Sequence, residues 1–408
     1  MSNIPCEGGF IMARFLKSLP VRLLIALAIG IALGSYVNET VITVIDSIRH
    51  ISGQIVFFAV PLIILGSVAP SIARMGKHAS RLLGLSLILA YTSVVGAGFL
   101  SMFAGRAIIP HLSIADAAAG ANALPPMVFT LNIPQIMPVM SALALALLVG
   151  LAVVWTKSNT FATLLEEFQQ IVLAIVRKVV IPILPIFICA TFATLAYQGR
   201  ITVQLPVFLQ VIGIIFAVHV LWIAVLYIVA TLYSGRNPIE VIRHYGPAWL
   251  TAFGTMSSAA TLPVALRAAS NAKNLDQNVV SFGIPLFAHI HMPGSIISIV
   301  FLATTVSQVL YGALPDLGTM LLFVPLVAIF AVAAPGVPGG TLMASLGLIT
   351  AVLGFDEIGI GLMLAIFALQ DSFGTACNIT SDGPMMMTLS KYTESHGLTL
   401  EEEQKTVF

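Results

Sequence analysis

The sequence predicts an all-α, polytopic membrane protein, and three observations carry that prediction. Only 9% of the 408 residues are charged and 58% are apolar, whereas soluble domains are about 25% charged and could not hide so much apolar surface. The apolar residues gather into runs long enough for membrane helices, joined by polar connections. Finally, no Lys or Arg occurs between Lys273 and Lys391, yet Asp371 and Asp382 sit inside the last long apolar run. The 18 basic residues are matched by 17 acidic ones and form no patch, which argues against nucleic acid as a partner. Cys6, Cys189 and Cys377 are scattered without CxxC spacing, so neither a disulfide framework nor a zinc site is expected.

The first apolar run, 19–36, follows Arg14, Lys17 and Arg22 and ends Ala32-Leu33-Gly34-Ser35, which imitates a signal peptide with its cleavage site. More membrane segments follow at once, as expected of an uncleaved helix whose start is held in the cytoplasm. Further spans are expected near 52–73, 81–109, 136–156, 165–197 and 205–233, with Arg177 and Lys178 of the fifth snorkelling to the interface. Residues 246–266 are too interrupted by Gly254, Ser257, Ser258 and Pro263 for a simple span and suggest a re-entrant hairpin. A long helix is expected at 278–311. The apolar stretch 319–354 is broken by Pro335-Gly336-Val337-Pro338-Gly339-Gly340, which suggests a helix turning back on itself, and 357–390 forms the last helix. The expected fold is therefore eight transmembrane helices plus two re-entrant helical hairpins. In that topology the basic residues outside the spans, from Arg14 to Lys405, gather on one side and leave Arg49, Arg106 and Arg200 opposite, placing both termini in the cytoplasm. Each broken hairpin precedes a long helix, and paired interrupted segments mark the binding site of inverted-repeat transporters.

The acids in the last helix carry the chemistry. Asp371, Thr375, Asn378 and Asp382 are spaced i, i+4, i+7 and i+11, one narrow stripe along a helix. A charged carboxylate in a membrane helix costs roughly 2.5–3.5 kcal/mol or more, so it needs a partner, a proton or a water-filled cavity. Because no basic residue is at hand, the positive charge is expected to arrive with the cargo, as a cation and an ammonium group. Ser257, Ser258 and Thr261 are expected to cap the first hairpin as well as face substrate. Cys377 and Met385 to Met387 read as packing. No nucleophile, base and oxyanion donor gather in any motif, so no enzyme is expected.

Four strings in order resemble the signatures of the dicarboxylate/amino acid:cation symporter family, the glutamate-transporter fold: Ser257-Ser258-Ala259-Ala260-Thr261-Leu262-Pro263, His291-Met292-Pro293-Gly294-Ser295, Gly336-Val337-Pro338-Gly339, and Asp371 through Asp382. The resemblance implies a homotrimer working as an elevator. Scaffold helices would lie in 1–73 and 111–200, and a mobile transport domain would combine 74–110 with 201–408, including hairpins at 238–268 and 319–354. Carried over residue by residue, Asp371 would receive a substrate amino group and Asn378 its α-carboxylate. Gly374 and Thr375 fall in the same motif, and the backbone near Ser257, Ser258, Val337 and Gly339 would complete the cradle, since helix N-termini favour anions. Asp382 and the Asn378 backbone match one sodium site. Main-chain carbonyls near Met292, Ala331 and Ala334 match a second.

Departures from the family pattern narrow the expectation. Where members that take acidic substrates have an arginine, this chain has Gly374; the alternative arginine position holds Met256, and an accompanying acid is replaced by Phe367. Leaving a second carboxylate without its bidentate arginine costs several kcal/mol, which points away from glutamate, aspartate and C4-dicarboxylates and toward a small neutral amino acid, as in the family's serine/threonine branch. His291 and Pro293 remove both side chains of a third, deep sodium site; Thr92 and Ser93 remain, but Leu89 stands where the family has tyrosine, so one or two sodium ions are expected. His289 and His291 open a rival reading in which protons couple to transport. A channel or sensor on the same fold is a further alternative. The expected setting is a bacterial inner membrane, with membrane lipid around the chain.

Overall fold

The computed structural model describes residues 19–77, 81–112, 124–199, 201–334, 336 and 338–397. Among them there is no strand. The helices are α1 (Leu19–Tyr36), α2 (Glu39–Lys77), α3 (Arg81–Ile108), α4 (Val139–Thr156), α5 (Asn159–Ile175), α6 (Ile181–Tyr197), α7 (Ile201–Ser234) and α8 (Pro238–Ile242). They continue as α9 (Gly246–Thr255), α10 (Ser258–Ser270), α11 (Gln277–Ile290), α12 (Pro293–Tyr311), α13 (Leu317–Ala333), α14 (Gly340–Leu353) and α15 (Glu357–His396). Among the described residues six stretches are long and apolar enough to cross a membrane: Glu39–Ala73, Arg81–His111, Asn159–Tyr197, Pro206–Ser234, Gln277–Tyr311 and Glu357–His396. The expected first and fourth spans are helices of 18 residues each, about 27 Å long, close to the thickness of a bilayer core.

Three boundaries differ from the sequence expectation, each for a physical reason. The second span was expected from 52, where hydropathy rises, but α2 begins at Glu39. Its early charges are answered within the fold: Arg49 Nε donates to Asp46 Oδ1 at 2.7 Å, and Arg49 faces Glu357 Oε2 of α15 at 3.6 Å. His50 Nδ1 lies 3.1 Å from the same oxygen, and Gln54 Nε2 donates to Glu357 Oε1 at 2.8 Å. The expected continuous helix at 278–311 is two helices. His291 and Met292 leave helical geometry, with φ/ψ of −109°/94° and −119°/47°, and Pro293, which has no N–H, opens α12. The fifth span is one long stretch with a π turn at Val176–Val180, just before Pro182 and Pro185, where missing amides loosen the α-helical ladder. Arg177 and Lys178 are exposed on that turn.

Packing divides the helices into two groups. In one, α4 to α6 gather around α2 and α1 packs on α6; in the other, α3, α7, α9 to α11, α13 and α14 gather around α12 and α15. The groups meet where α14 lies against α2 and α4, and where α15 crosses α1 and α6. Burial separates the lipid-facing elements from the enclosed ones. In the most apolar window of Gln277–Tyr311, 89% of residues are buried, and 83% in Glu357–His396, against 33% in Pro206–Ser234. The acidic stripe therefore runs through protein. Hairpins α9–α10 and α13–α14 fold back along themselves, and their tips meet beside that stripe.

Candidate substrate and cation site

The first tip is built by a chain reversal at Met256, the left-handed cap of α9, with φ +51°. Ser257 then caps α10: its Oγ accepts from the Ala260 amide at 3.2 Å and donates to the Gly336 carbonyl of the other tip at 2.7 Å. The Ala259 amide also approaches the Gly336 carbonyl, at 3.4 Å. Ser258 and Thr261 are buried. At the second tip Gly339 takes φ +70°, a conformation costly for other residues, and so turns its own amide toward α15. That amide donates to Asp371 Oδ2 at 2.8 Å. Val337 lies outside the described residues.

Asp371, Thr375, Asn378 and Asp382 are all buried, from 0% to 4% exposed. Asp371, Thr375 and Asn378 line a pocket with Met256, Ser258 and Thr341. Its free volume is about 10 Å³, at the lower limit of the room for one water, so the tips are closed on the stripe. Neither Lys nor Arg lines it among the described residues. Gly374 faces the other way: a Cβ there would sit at ordinary contact distance from Ser298 and Gly294 of α12. A Cβ on Gly294 would overlap the Gly374 carbonyl and approach Cys377 Cβ, so α12 and α15 touch backbone to backbone.

Asn378 is engaged at both ends of its amide by the broken helix. Its Oδ1 accepts from the amides of Gly294 at 2.8 Å and Ser295 at 3.3 Å. Its Nδ2 donates to Ser295 Oγ at 3.0 Å and faces Met292 Sδ at 3.4 Å. These bonds satisfy amides freed at the start of α12. Met292, Ala331 and Ala334 are buried, and the Ala331 carbonyl accepts from the Ala334 amide at 3.3 Å.

Asp382 corrects the expectation that both acids depend on solutes alone. His291 Nδ1 lies 3.0 Å from Asp382 Oδ1, and His291 Nε2 lies 2.8 Å from Ser93 Oγ. With an ionised carboxylate, Nδ1–H donates and Nε2 accepts the serine proton, a tautomer fixed by the network. The second carboxylate oxygen, Oδ2, is buried without a partner among the described residues. A lone buried oxygen of this kind suits a hard cation. His289 is not brought to the acids: it is exposed and its Nδ1 bonds the Pro285 carbonyl at 2.9 Å. Thr92 is likewise turned out, its hydroxyl donating to the Ile88 carbonyl at 2.7 Å.

One buried polar neighbour of the site was not singled out in the sequence. His219 of α7 is 2% exposed, with Nε2 at 2.9 Å from the Gly294 carbonyl and 3.2 Å from Ser298 Oγ. Ser298 in turn donates to Gln370 Oε1 at 3.0 Å, beside Asp371. The signal available was a polar residue inside an otherwise apolar span, a feature that marks function in membrane helices.

Paired helix tips closed on an acidic stripe make up the candidate site, and sequence comparison supplies the family of the chain. The profile of the sodium:dicarboxylate symporter family matches residues 19–392, and the chain belongs to that family. Similar proteins include excitatory amino acid transporter 2 of Mus musculus and of Rattus norvegicus, each 30% identical over 235 residues, covering 55% of this chain and 40% of the relative. The serine/threonine transporter SstT of Streptococcus agalactiae is 30% identical over 249 residues, 60% of each chain. The matched regions thus span about half the length of these relatives. Membership in a symporter family sets the enzyme class aside, and the chain is an integral membrane protein.

Proposed function

We propose that the protein is a secondary active symporter that imports a small neutral amino acid, driven by a cation gradient, with sodium as the first choice. The observation that carries this reading is the closed pocket around Asp371, which offers a carboxylate and helix-tip amides but no Lys or Arg among the described residues. A zwitterion matches such a site: its ammonium pairs with Asp371, and its carboxylate meets amides at the tips and the Thr375 hydroxyl. An acidic side chain would find no cation. The SstT relative is a serine/threonine transporter by name, which agrees with serine or threonine as cargo. The unpartnered Asp382 Oδ2 is the group best placed to hold a sodium ion carried with the substrate. With Ser93 bonded to His291 and Thr92 turned away, a third, deep sodium site has no side-chain support.

In this reading the group around α12 and α15 moves against the group around α2, as an elevator, in a homotrimer of an inner membrane with both termini cytoplasmic. A second reading, proton coupling, is favoured by one observation, the His291–Asp382 bond at the place where a cation is expected. Uptake of labelled serine, threonine, alanine and aspartate into proteoliposomes separates the two. Sodium-driven accumulation of serine or threonine, lost in Asp371→Asn, is the expected result. Uptake indifferent to sodium but abolished by a protonophore selects the proton reading. Failure to accumulate any of them against a gradient overturns both.

A further inference from the structure

A groove of about 470 Å³ runs along α1, α2 and α6 and shares no residue with the site at the hairpin tips. Its origin is local. α1 packs on α6 through Gly30 and Gly34, where any Cβ would overlap the carbonyls of Cys189 and Ala193, so the helices touch backbone to backbone along that face. The adjacent face of α1 carries Arg22, Ile25, Ile29 and Leu33, spaced so that they form one stripe, and this stripe is a wall of the groove. Ile25, Ile29 and Leu33, with Ile48 and Ile186 opposite, remain 41–52% exposed. Arg22 is the one charged group in the lining, and no carboxylate pairs with it among the described residues.

We propose that this groove is a binding site for an anionic glycerophospholipid, with the headgroup phosphate on Arg22 and one acyl chain lying along the α1 stripe to Leu33. The dimensions suit the occupant: eleven residues of helix separate Arg22 from Leu33, about 16 Å, the reach of most of an acyl chain. The chemistry also divides correctly, since the wall beyond Arg22 offers only aliphatic side chains, Pro185 and a thiol, and among the described residues Arg22 has no anion in the place a phosphate would take. Arg22 stands at the start of α1, the end expected at the cytoplasmic leaflet, where anionic lipids concentrate. The proposal needs membrane insertion but not the transport reading.

Cys189 lies in the groove wall and provides an internal probe. The test is native mass spectrometry of the purified, delipidated protein titrated with phosphatidylglycerol or with phosphatidylcholine of the same acyl chains. Alkylation of Cys189 is followed in parallel. Phosphatidylglycerol is expected to bind about fivefold more tightly, in keeping with one basic contact, and to slow Cys189 alkylation. Arg22→Gln should erase the preference and Arg22→Lys restore it, whereas Ile29→Trp, which fills the groove, should weaken both lipids. Equal binding of the two lipids by the parent protein overturns the proposal, as does a lipid effect untouched by Ile29→Trp. A Cys189–Cys189 cross-link between copies, or protection of Cys189 without lipid, also overturns it, because the groove is then covered by a second copy of the chain.

Discussion

Replacing His291 by alanine tests how the buried Asp382 is held. The change removes the 3.0 Å contact to Asp382 Oδ1 and the 2.8 Å contact to Ser93 Oγ together. Asp382 Oδ2 already has no partner among the described residues, and Asp382 is 0% exposed, so a carboxylate would be left wholly unanswered in the interior. Taking the neutral imidazole donor away from a buried carboxylate costs about 1–3 kcal/mol, toward the upper end because the acceptor is charged. The orphaned Ser93 hydroxyl adds about 1–3 kcal/mol. Losses of this size are a large fraction of the stability of an ordinary domain, about 5–15 kcal/mol. A sodium ion drawn to the freed oxygens would offset part of the loss, about 2.7 kcal/mol at a concentration one hundred times its Kd. The variant should therefore unfold at a markedly lower temperature than the parent in sodium-free medium, and sodium should raise its melting temperature more than the parent's. Purified protein in nanodiscs, heated in sodium chloride or in potassium chloride at equal ionic strength, gives the comparison. Equal melting of variant and parent in potassium refutes the claim that the imidazole satisfies Asp382.

Met256→Arg should place a guanidinium in the pocket wall, because Met256 is 3% exposed and lines it, and the variant is expected to gain aspartate uptake and lose affinity for serine. Competition of aspartate against labelled serine in proteoliposomes measures the exchange. Glu357→Gln should keep the Gln54 bond but strip the charge facing Arg49 and His50, whose partner contacts are 3.6 Å and 3.1 Å. A loss of about 1–3 kcal/mol is expected from leaving the buried Arg49 with Asp46 alone, read by denaturation and by a double-mutant cycle with Arg49→Met.

Much of this architecture is legible in the sequence because hydropathy and the Pro-Gly interruption report directly on local structure. The ends of α1, α3 and α4 fall close to the expected runs, and α13–α14 breaks where 335–340 predicts. Hydropathy failed where polar groups answer one another across the fold. Asp46 and Arg49 look like a span boundary in a linear reading, yet Glu357, more than three hundred residues later, lets the helix run through them. The same holds for the stripe. Spacing alone puts Asp371 and Asp382 on one face, but it cannot reveal that His291 turns its ring to Asp382 or that His289, two residues away, points out. Two residues of helix turn a side chain by about 200°, so the face that brings His291 to Asp382 sends His289 outward.

The two acids meet the same electrostatic demand in different ways, and the difference has a consequence for ligand choice. Asp382 is answered by a side chain, whereas Asp371 is answered by the Gly339 amide, at the N-terminus of α14. That amide is itself a favourable position for an anion. In the proposed function, an entering amino acid must part the two, since a pocket of about 10 Å³ holds neither end of it. Parting them frees a carboxylate and an amide at once, and a zwitterion replaces both partners, ammonium to Asp371 and carboxylate toward Gly339. A ligand with one charge leaves the other group unpaired in the interior, at a cost of about 1–3 kcal/mol or more, roughly five- to over a hundredfold in affinity. Serine methyl ester and ethanolamine, which lack the free carboxylate, and lactate, which lacks the amine, should therefore all fail to inhibit labelled serine uptake at concentrations where serine saturates. Inhibition by any of the three at serine-like concentrations removes the partner-exchange account of how the hairpin tips open.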